Sequence, residues 1–194
     1  MTELHADALR ADAPPELRAD APPELRADAR RNLERVLDAA TEVFAASGPA
    51  ASVDEIAKRA GVGHATVFRR FPTKDDLMYA VIERHVEEMI GIAEQSLASD
   101  DPGVAFFDFI RRLAAHNMST PGLHGCVVHC GEKPGAAELE KLGAKIVKRA
   151  QAAGAVRRDV QPADVQMLVR SALTSAPEGQ WERYLDVVLD GLRA

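Results

Sequence analysis

The 194 residues hold only two cysteines, one tryptophan and two tyrosines. Two thiols cannot frame a disulfide-stapled fold. No apolar run approaches the roughly 20 residues that span a bilayer, and no apolar signal segment follows the start, so a cytoplasmic protein with no membrane partner is expected. An excess of basic charge is also lacking. The net charge is −6, so the molecule is not a polycation, and any nucleic-acid surface must be local. Alternating strand patterns and hairpin signals are absent too. What remains is a hydrophobic fraction of 46%, enough for a core, arranged almost entirely at helical spacing. The fold class is all-α.

The chain is organised around Ser52 to Asp75, SVDEIAKRAGVGHATVFRRFPTKD. Ser52 and Glu55 have the spacing of a capping box. Val53, Ile56, Ala57 and Ala60 then fall on one helical face, and Gly61 supplies the left-handed residue on which helices often end. A second short helix runs from about His64 to Phe71, with Val67 and Phe71 inward. Pro72 stops it, and Thr73 opens a third helix with Asp76 at the reciprocal capping position. Helix, glycine-containing turn and helix form the helix-turn-helix pattern, whose second helix enters the major groove. A plain corner of a helical bundle has the same outline. The outward side of the second helix distinguishes them: His64, Ala65, Thr66, Phe68, Arg69 and Arg70, with no acidic residue between Gly61 and Thr73, whereas a merely solvated face mixes signs. Lys74, just beyond, is a natural phosphate contact. Before this hairpin, Leu33, Val36, Leu37, Ala40, Val43 and Phe44 mark a helix ended by Gly48-Pro49, the third wall needed to bury the hairpin's inner face.

Ala29 to Ile82 resembles the N-terminal domain of TetR-type (tetracycline-repressor-like) transcriptional regulators. The resemblance rests on Arg30 and Arg31, on A-A-x-x-x-F at Ala39 to Phe44, on S-V-x-x-I-A-x-x-A-G-V at Ser52 to Val62, and on T-V-F-R-R-F-P-T-K-D-D-L at Thr66 to Leu77. It covers about a quarter of the chain. The family often carries Tyr where this chain has Phe68. Phe68 has no hydroxyl for a phosphate and is left with apolar contacts, such as a thymine methyl. The resemblance implies a homodimeric regulator, a repressor, whose N-terminal three-helix domain binds double-stranded operator DNA. It implies a C-terminal helical domain that dimerises and holds a small-molecule effector. The DNA-binding residues expected are Arg30, Arg31, Ser52, His64, Ala65, Thr66, Phe68, Arg69, Arg70 and Lys74, with base reading by His64, Ala65, Phe68 and Arg69. For Arg69, guanine pairing and a phosphate contact are both open.

Residues 1–28 are of low complexity. ADAPPELR occurs at Ala11 to Arg18 and again at Ala19 to Arg26. Paired prolines and little to bury predict a disordered tail. Its distal end, with Arg26, Arg30 and Arg31, is either an arm on the DNA backbone or a solvated lead-in. The DNA-binding domain is then 29–79, with the boundary to a regulatory domain, 80–194, inside a long helix near Tyr79.

In that second part, Phe106, Phe109, Ile110 and Leu113 form one stripe that Phe107 and Ala114 broaden, as expected of a helix buried on more than one side. An effector, expected to be largely apolar, would be lined by Phe106, Phe107, Phe109, Ile110, Leu113, His116, Met118, Leu123 and Cys126, with His116 and His129 as polar anchors. Plain core packing is the competing role for these residues. The helices at Val165 to Leu173 and Trp181 to Leu192 carry wide apolar faces, and a terminal helix has few elements left to cover it. Val165, Leu168, Val169, Ala172, Trp181, Leu185, Val188 and Leu192 are therefore the expected two-fold interface, with core packing as the alternative.

His116, His124, Cys126, His129 and Cys130 are the one dense reactive cluster. Their spacing matches no closed zinc motif, so no metal or cofactor is expected. A metal- or thiol-responsive regulator stays open beside inert buried cysteines. An enzyme is not expected, since no supporting acid or oxyanion site accompanies Cys126, Cys130 and His129. A helical sensor without specific DNA binding is the remaining alternative.

Overall fold

The computed structural model describes residues 23–130 and 135–194, which form helices and short turns, with one isolated antiparallel bridge between Val156 and Arg193. In chain order the helices are α1 (Pro23–Ser47), α2 (Val53–Ala60), α3 (His64–Arg70), α4 (Lys74–Leu97), α5 (Pro102–Ser119), α6 (Leu123–Cys130), α7 (Ala136–Ala152), α8 (Pro162–Ser175) and α9 (Trp181–Gly191). The chain packs as two units. One contains the residues up to Arg84 together with the segment from Thr120 that carries α6. The other contains His85–Ser119 and Gly135–Ala194. Helix α4 runs through the change from one to the other.

Two expectations change here. The part of the proposed tail before residue 23 lies outside the described residues, but Pro23 to Asp28 belong to α1. Proline is no obstacle in that place. The first helical residue needs no N–H partner, and Pro pre-sets its φ. ELRADARR then continues as good helix-forming sequence. The second change concerns α6. It follows α5 in sequence, yet it packs with the first unit, on α1 and on the 3-10 turn Gly48–Ala50. Gly122 makes that approach possible. Its N–H donates to Ala45 O at 3.0 Å, and a Cβ built there would lie 2.2 Å from Phe44 O. Only glycine fits a backbone that close.

In the first unit, Val36, Ala40, Val43 and Phe44 of α1 are buried, as are Ile56, Ala57 and Ala60 of α2, Val67, Phe71, and Leu77, Met78, Val81 and Ile82 of α4. Arg84 ties α4 to α1, donating to Asp38 at 2.8 Å and to Thr41 Oγ1 at 2.6 Å. In the second unit, Phe106, Phe109 and Ile110 of α5 share a core with Leu142, Ile146 and Val147 of α7, Val165 and Val169 of α8, and Leu185, Leu189 and Leu192. The helix ends are specified locally. Asp101 accepts from the N–H groups of Gly103 and Val104 at 2.9 and 3.0 Å, with Pro102 at the first helical position. Gln161 and Asp164 form a capping box on α8. Arg149 donates to Leu97 O and Ser99 O where α4 ends, placing a cation at the negative end of a helix.

Candidate DNA interface

Helix α2 ends at Gly61, which adopts φ +67°, and α3 begins three residues later with Gly63 as its N-cap. Val67 is the buried residue of α3, and Phe71, its C-cap, is also buried. Rotating an α-helix to bury these two positions turns Ala65 and Arg69 outward, while His64, three residues before Val67, lies nearer the buried side and is exposed because it opens the helix. Thr66, Phe68 and Arg70 are half-buried on the flanks. The reciprocal cap of the next helix forms as its spacing requires. Thr73 N–H donates to Asp76 Oδ2 at 2.9 Å, and Asp76 N–H donates to Thr73 Oγ1 at 3.1 Å. It holds Lys74 at the mouth of α4, beside the end of α3.

Several side chains differ from expectation in detail. Ser52 is the exposed N-cap of α2 but makes no side-chain cap, and Glu55 lies 3.7 Å from Arg59 instead of closing a box. The Arg59 guanidinium also reaches Glu42 at 2.9 Å. Arg30 and Arg31 are exposed residues of α1, not an extended arm, and Arg31 pairs with Asp28 one turn back. Arg70 folds inward, its guanidinium 5.9 Å from the Phe71 ring centroid and its Nε buried without a hydrogen-bond partner. His64 Nε2 lies 3.5 Å from Asp54 Oδ1, and its ring meets Phe68 edge-on at 4.5 Å. An acidic residue of α2 therefore reaches the outward face, a contact the charge pattern of α3 alone did not show.

The expected effector residues do not gather in one place. Phe106, Phe107, Phe109 and Ile110 are buried in the second unit's core, and Leu113 packs partly against it. His116 is half-buried and stacks on His85, ring centroids 4.2 Å apart and 17° from parallel, with its Nε2 3.5 Å from Glu88. Met118 is half-buried. Leu123 and Cys126 are buried in the first unit, while His129 is exposed there, 3.5 Å from Asp75. The side chains of His124 and Cys130 lie outside the described residues. Among the described residues no group of three His, Cys, Asp or Glu side chains is arranged to hold a metal. An open depression of about 640 Å³ on the second unit is lined by Val104, Phe107, Asp108, Arg111, Arg193 and neighbours, and of the expected pocket it includes Phe107.

The interface expectation is also redistributed. Val165, Val169, Ala172, Leu185 and Leu192 are buried within the chain itself, and Trp181 and Val188 pack partly against the same core. Leu168 of the expected interface is exposed, as are Met167, Tyr184 and Val187, which lie outside the expected interface set.

Residues 36–81 match the family described as bacterial regulatory proteins, tetR family, and residues 101–194 match the SbtR-like transcriptional regulator C-terminal domain. A TetR transcription regulatory protein from Mycobacterium vanbaalenii is 40% identical, covers 88% of this chain with 99% of its own, and superposes with a TM-score of 0.69. This chain belongs to the TetR family. A second TetR regulator structure, from Streptomyces coelicolor, is 29% identical over 82% of this chain and 97% of its own, with a TM-score of 0.67. Among curated relatives, the HTH-type transcriptional activator FasR of Mycolicibacterium smegmatis is 39% identical over 85 residues, which is 39% of each chain. An HTH-type transcriptional repressor of Mycobacterium tuberculosis is 53% identical over 49 residues, 25% of this chain and 26% of its own. The chain thus spans well under half the length of these curated relatives, and they include both an activator and a repressor. The protein is a TetR-family helix-turn-helix transcriptional regulator. Among the described residues no helix is long and apolar enough to cross a membrane.

Proposed function

We propose that this TetR-family protein is a homodimeric repressor that binds a near-palindromic operator and leaves it when a small, largely apolar effector binds the second unit. The observation that carries the DNA half is the division of α3. Val67 and Phe71 are buried, the opposite side presents Ala65 and Arg69, and His64 is exposed at the helix start, with no acidic residue in the helix. Arg69 is assigned to a guanine edge, His64, Ala65 and Phe68 to the neighbouring bases, and Thr66, Arg70 and Lys74 to the backbone. Arg30, Arg31 and Ser52 lie on the flanks as phosphate contacts. Repression is the simpler direction physically, because occupying an operator blocks polymerase without a further contact surface.

The dimer reading is supported by Met167, Leu168, Tyr184 and Val187, large apolar side chains left exposed on α8 and α9. A two-fold packing of these helices would set two recognition helices about 34 Å apart, or a longer multiple. For the effector, Leu113, His116 and Met118 are the expected residues of the second unit that its own packing leaves half-buried. Such a ligand acts only by binding the DNA-incompetent form more tightly. Selection of bound sites from random duplex DNA at two salt concentrations tests the reading. A two-fold symmetric motif with a steep salt dependence is expected, and enrichment of no motif at either salt concentration overturns it.

A further inference from the structure

The end of α2 holds an arginine that is not part of the recognition helix. Arg35, on α1, directs its guanidinium at the last carbonyls of α2. One terminal nitrogen donates to Ala60 O at 2.5 Å and to Gly61 O at 3.4 Å, while the other donates to Asn32 Oδ1 at 3.3 Å. The remaining bonds of this helix end are local: Gly61 N–H goes to Lys58 O at 3.2 Å and Val62 N–H to Ala57 O at 3.1 Å. These satisfy the carbonyls one turn back and leave those of Ala60 and Gly61 to Arg35. Gly61 makes room for this as well as supplying its φ, since a Cβ there would lie 2.6 Å from the Arg35 nitrogen.

We propose that Arg35 is a positioning residue for the recognition helix, fixing the direction in which α3 leaves the turn. The inference rests on the reading that α3 binds DNA. Its physical basis is the weakness of the other restraints at that point. The turn is Gly61-Val62-Gly63, and two glycines give the backbone wide freedom. Gly63 caps α3 without a side chain, and the buried anchors of α3, Val67 and Phe71, lie in its later part. The N-terminal half, with His64 and Ala65, is held through the turn and, outside it, by the exposed contact of His64 with Asp54 at 3.5 Å. A cation at a helix C-terminus is favoured, and a charged donor to a carbonyl makes a strong hydrogen bond. A planar guanidinium can hold Asn32 and two carbonyls at once, which an ammonium cannot do with the same geometry.

The test uses Arg35→Met and Arg35→Lys in the full chain, below the melting temperature of each, with a duplex carrying the selected motif and a scrambled duplex across a salt series. Arg35→Met should weaken the selected duplex about tenfold or more, leave the scrambled duplex and the salt slope unchanged, and speed amide exchange at Gly61 to Thr66 in the free protein. Arg35→Lys should recover part of both effects. Equal weakening of both duplexes with a slope reduced by about one would make Arg35 a phosphate contact, and unchanged exchange in the turn would end the proposal. Should Arg35→Met fail to fold, the same comparisons on Arg35→Lys decide it. If the unaltered protein selects no motif, the DNA reading fails by itself and the exchange measurement still judges the tether.

Discussion

Lowering the pH from 7 to 5 should destabilise the second unit through His85. This ring is 8% exposed and stacks on His116 with centroids 4.2 Å apart. Burial first, and the neighbouring His116 second, push its pKa from the ordinary 6.5 down to about 4, against a smaller opposing effect of the Asn117 hydrogen bond. In the unfolded chain the same imidazole takes its proton near 6.5. As the pH falls below that value the unfolded state binds a proton that the folded state refuses, so stability falls with pH. It is intact above 6.5 and lost progressively down to about 4. At about 1.4 kcal/mol for each pH unit between the two values, the full loss is roughly 3.5 kcal/mol, of which about 2 kcal/mol appears between pH 7 and 5. Urea denaturation of the protein and of His85→Phe, at both pH values, isolates it, because carboxylates contribute equally to both proteins. Phenylalanine keeps a stacked ring and cannot titrate. The unaltered protein should lose about 2 kcal/mol more than the variant on acidification. Equal losses would refute the assignment of the perturbed pKa to His85.

Gly122→Ala should lower the stability of the first unit by about 1–3 kcal/mol, because its Cβ would sit 2.2 Å from a backbone oxygen that cannot rotate away; an unchanged melting temperature would contradict the close approach. Lys74→Ala should weaken binding to every duplex alike and reduce the salt slope by about one, whereas a change confined to one base pair would make Lys74 a base reader. Thr73→Ala, which removes the reciprocal cap, should cost about 1 kcal/mol in thermal unfolding. Met167→Glu with Val187→Glu, at positions 62% and 69% exposed, should convert a dimer to a folded monomer by light scattering and circular dichroism. A persistent dimer would move the interface elsewhere.

The first unit was legible because its signals are local. Capping spacings, a glycine at a helix end and apolar residues three and four apart act within a turn or two, and they located α2, α3 and the start of α4 correctly. The reading failed where a second local effect outweighed the first. Ser52 and Glu55 have capping-box spacing, but Arg59 holds Glu55. Pro22-Pro23 looked like a break, yet proline in the first helical position is compatible with the helix that follows. Arg35 and Gly122 were invisible for a different reason. Each acts on backbone oxygens of a segment far along the chain, and backbone oxygens leave no trace in composition or periodicity.

The last two helices show the limit of periodicity most clearly. A stripe of apolar residues identifies the side of a helix that avoids water, but it does not say whether the chain itself or a second copy excludes the water. The stripe alone assigns Leu185, Val188 and Leu192 to an interface, since a terminal helix has few elements left to cover it. The cover exists: α5, α7 and α8 supply a core in which Leu185 is 1% and Leu192 2% exposed. Once that stripe is assigned to the core, the residues outside it decide what else the helix can do. Val187 and Tyr184 lie outside the buried set Leu185, Leu189 and Leu192, as Met167 and Leu168 lie outside Val165, Val169 and Ala172 on α8, and each is large, apolar and exposed. Replacing Leu185 by a charge would therefore test folding, and replacing Val187 would test association. The two substitutions, two residues apart on one helix, should separate into an unfolded chain and a folded monomer.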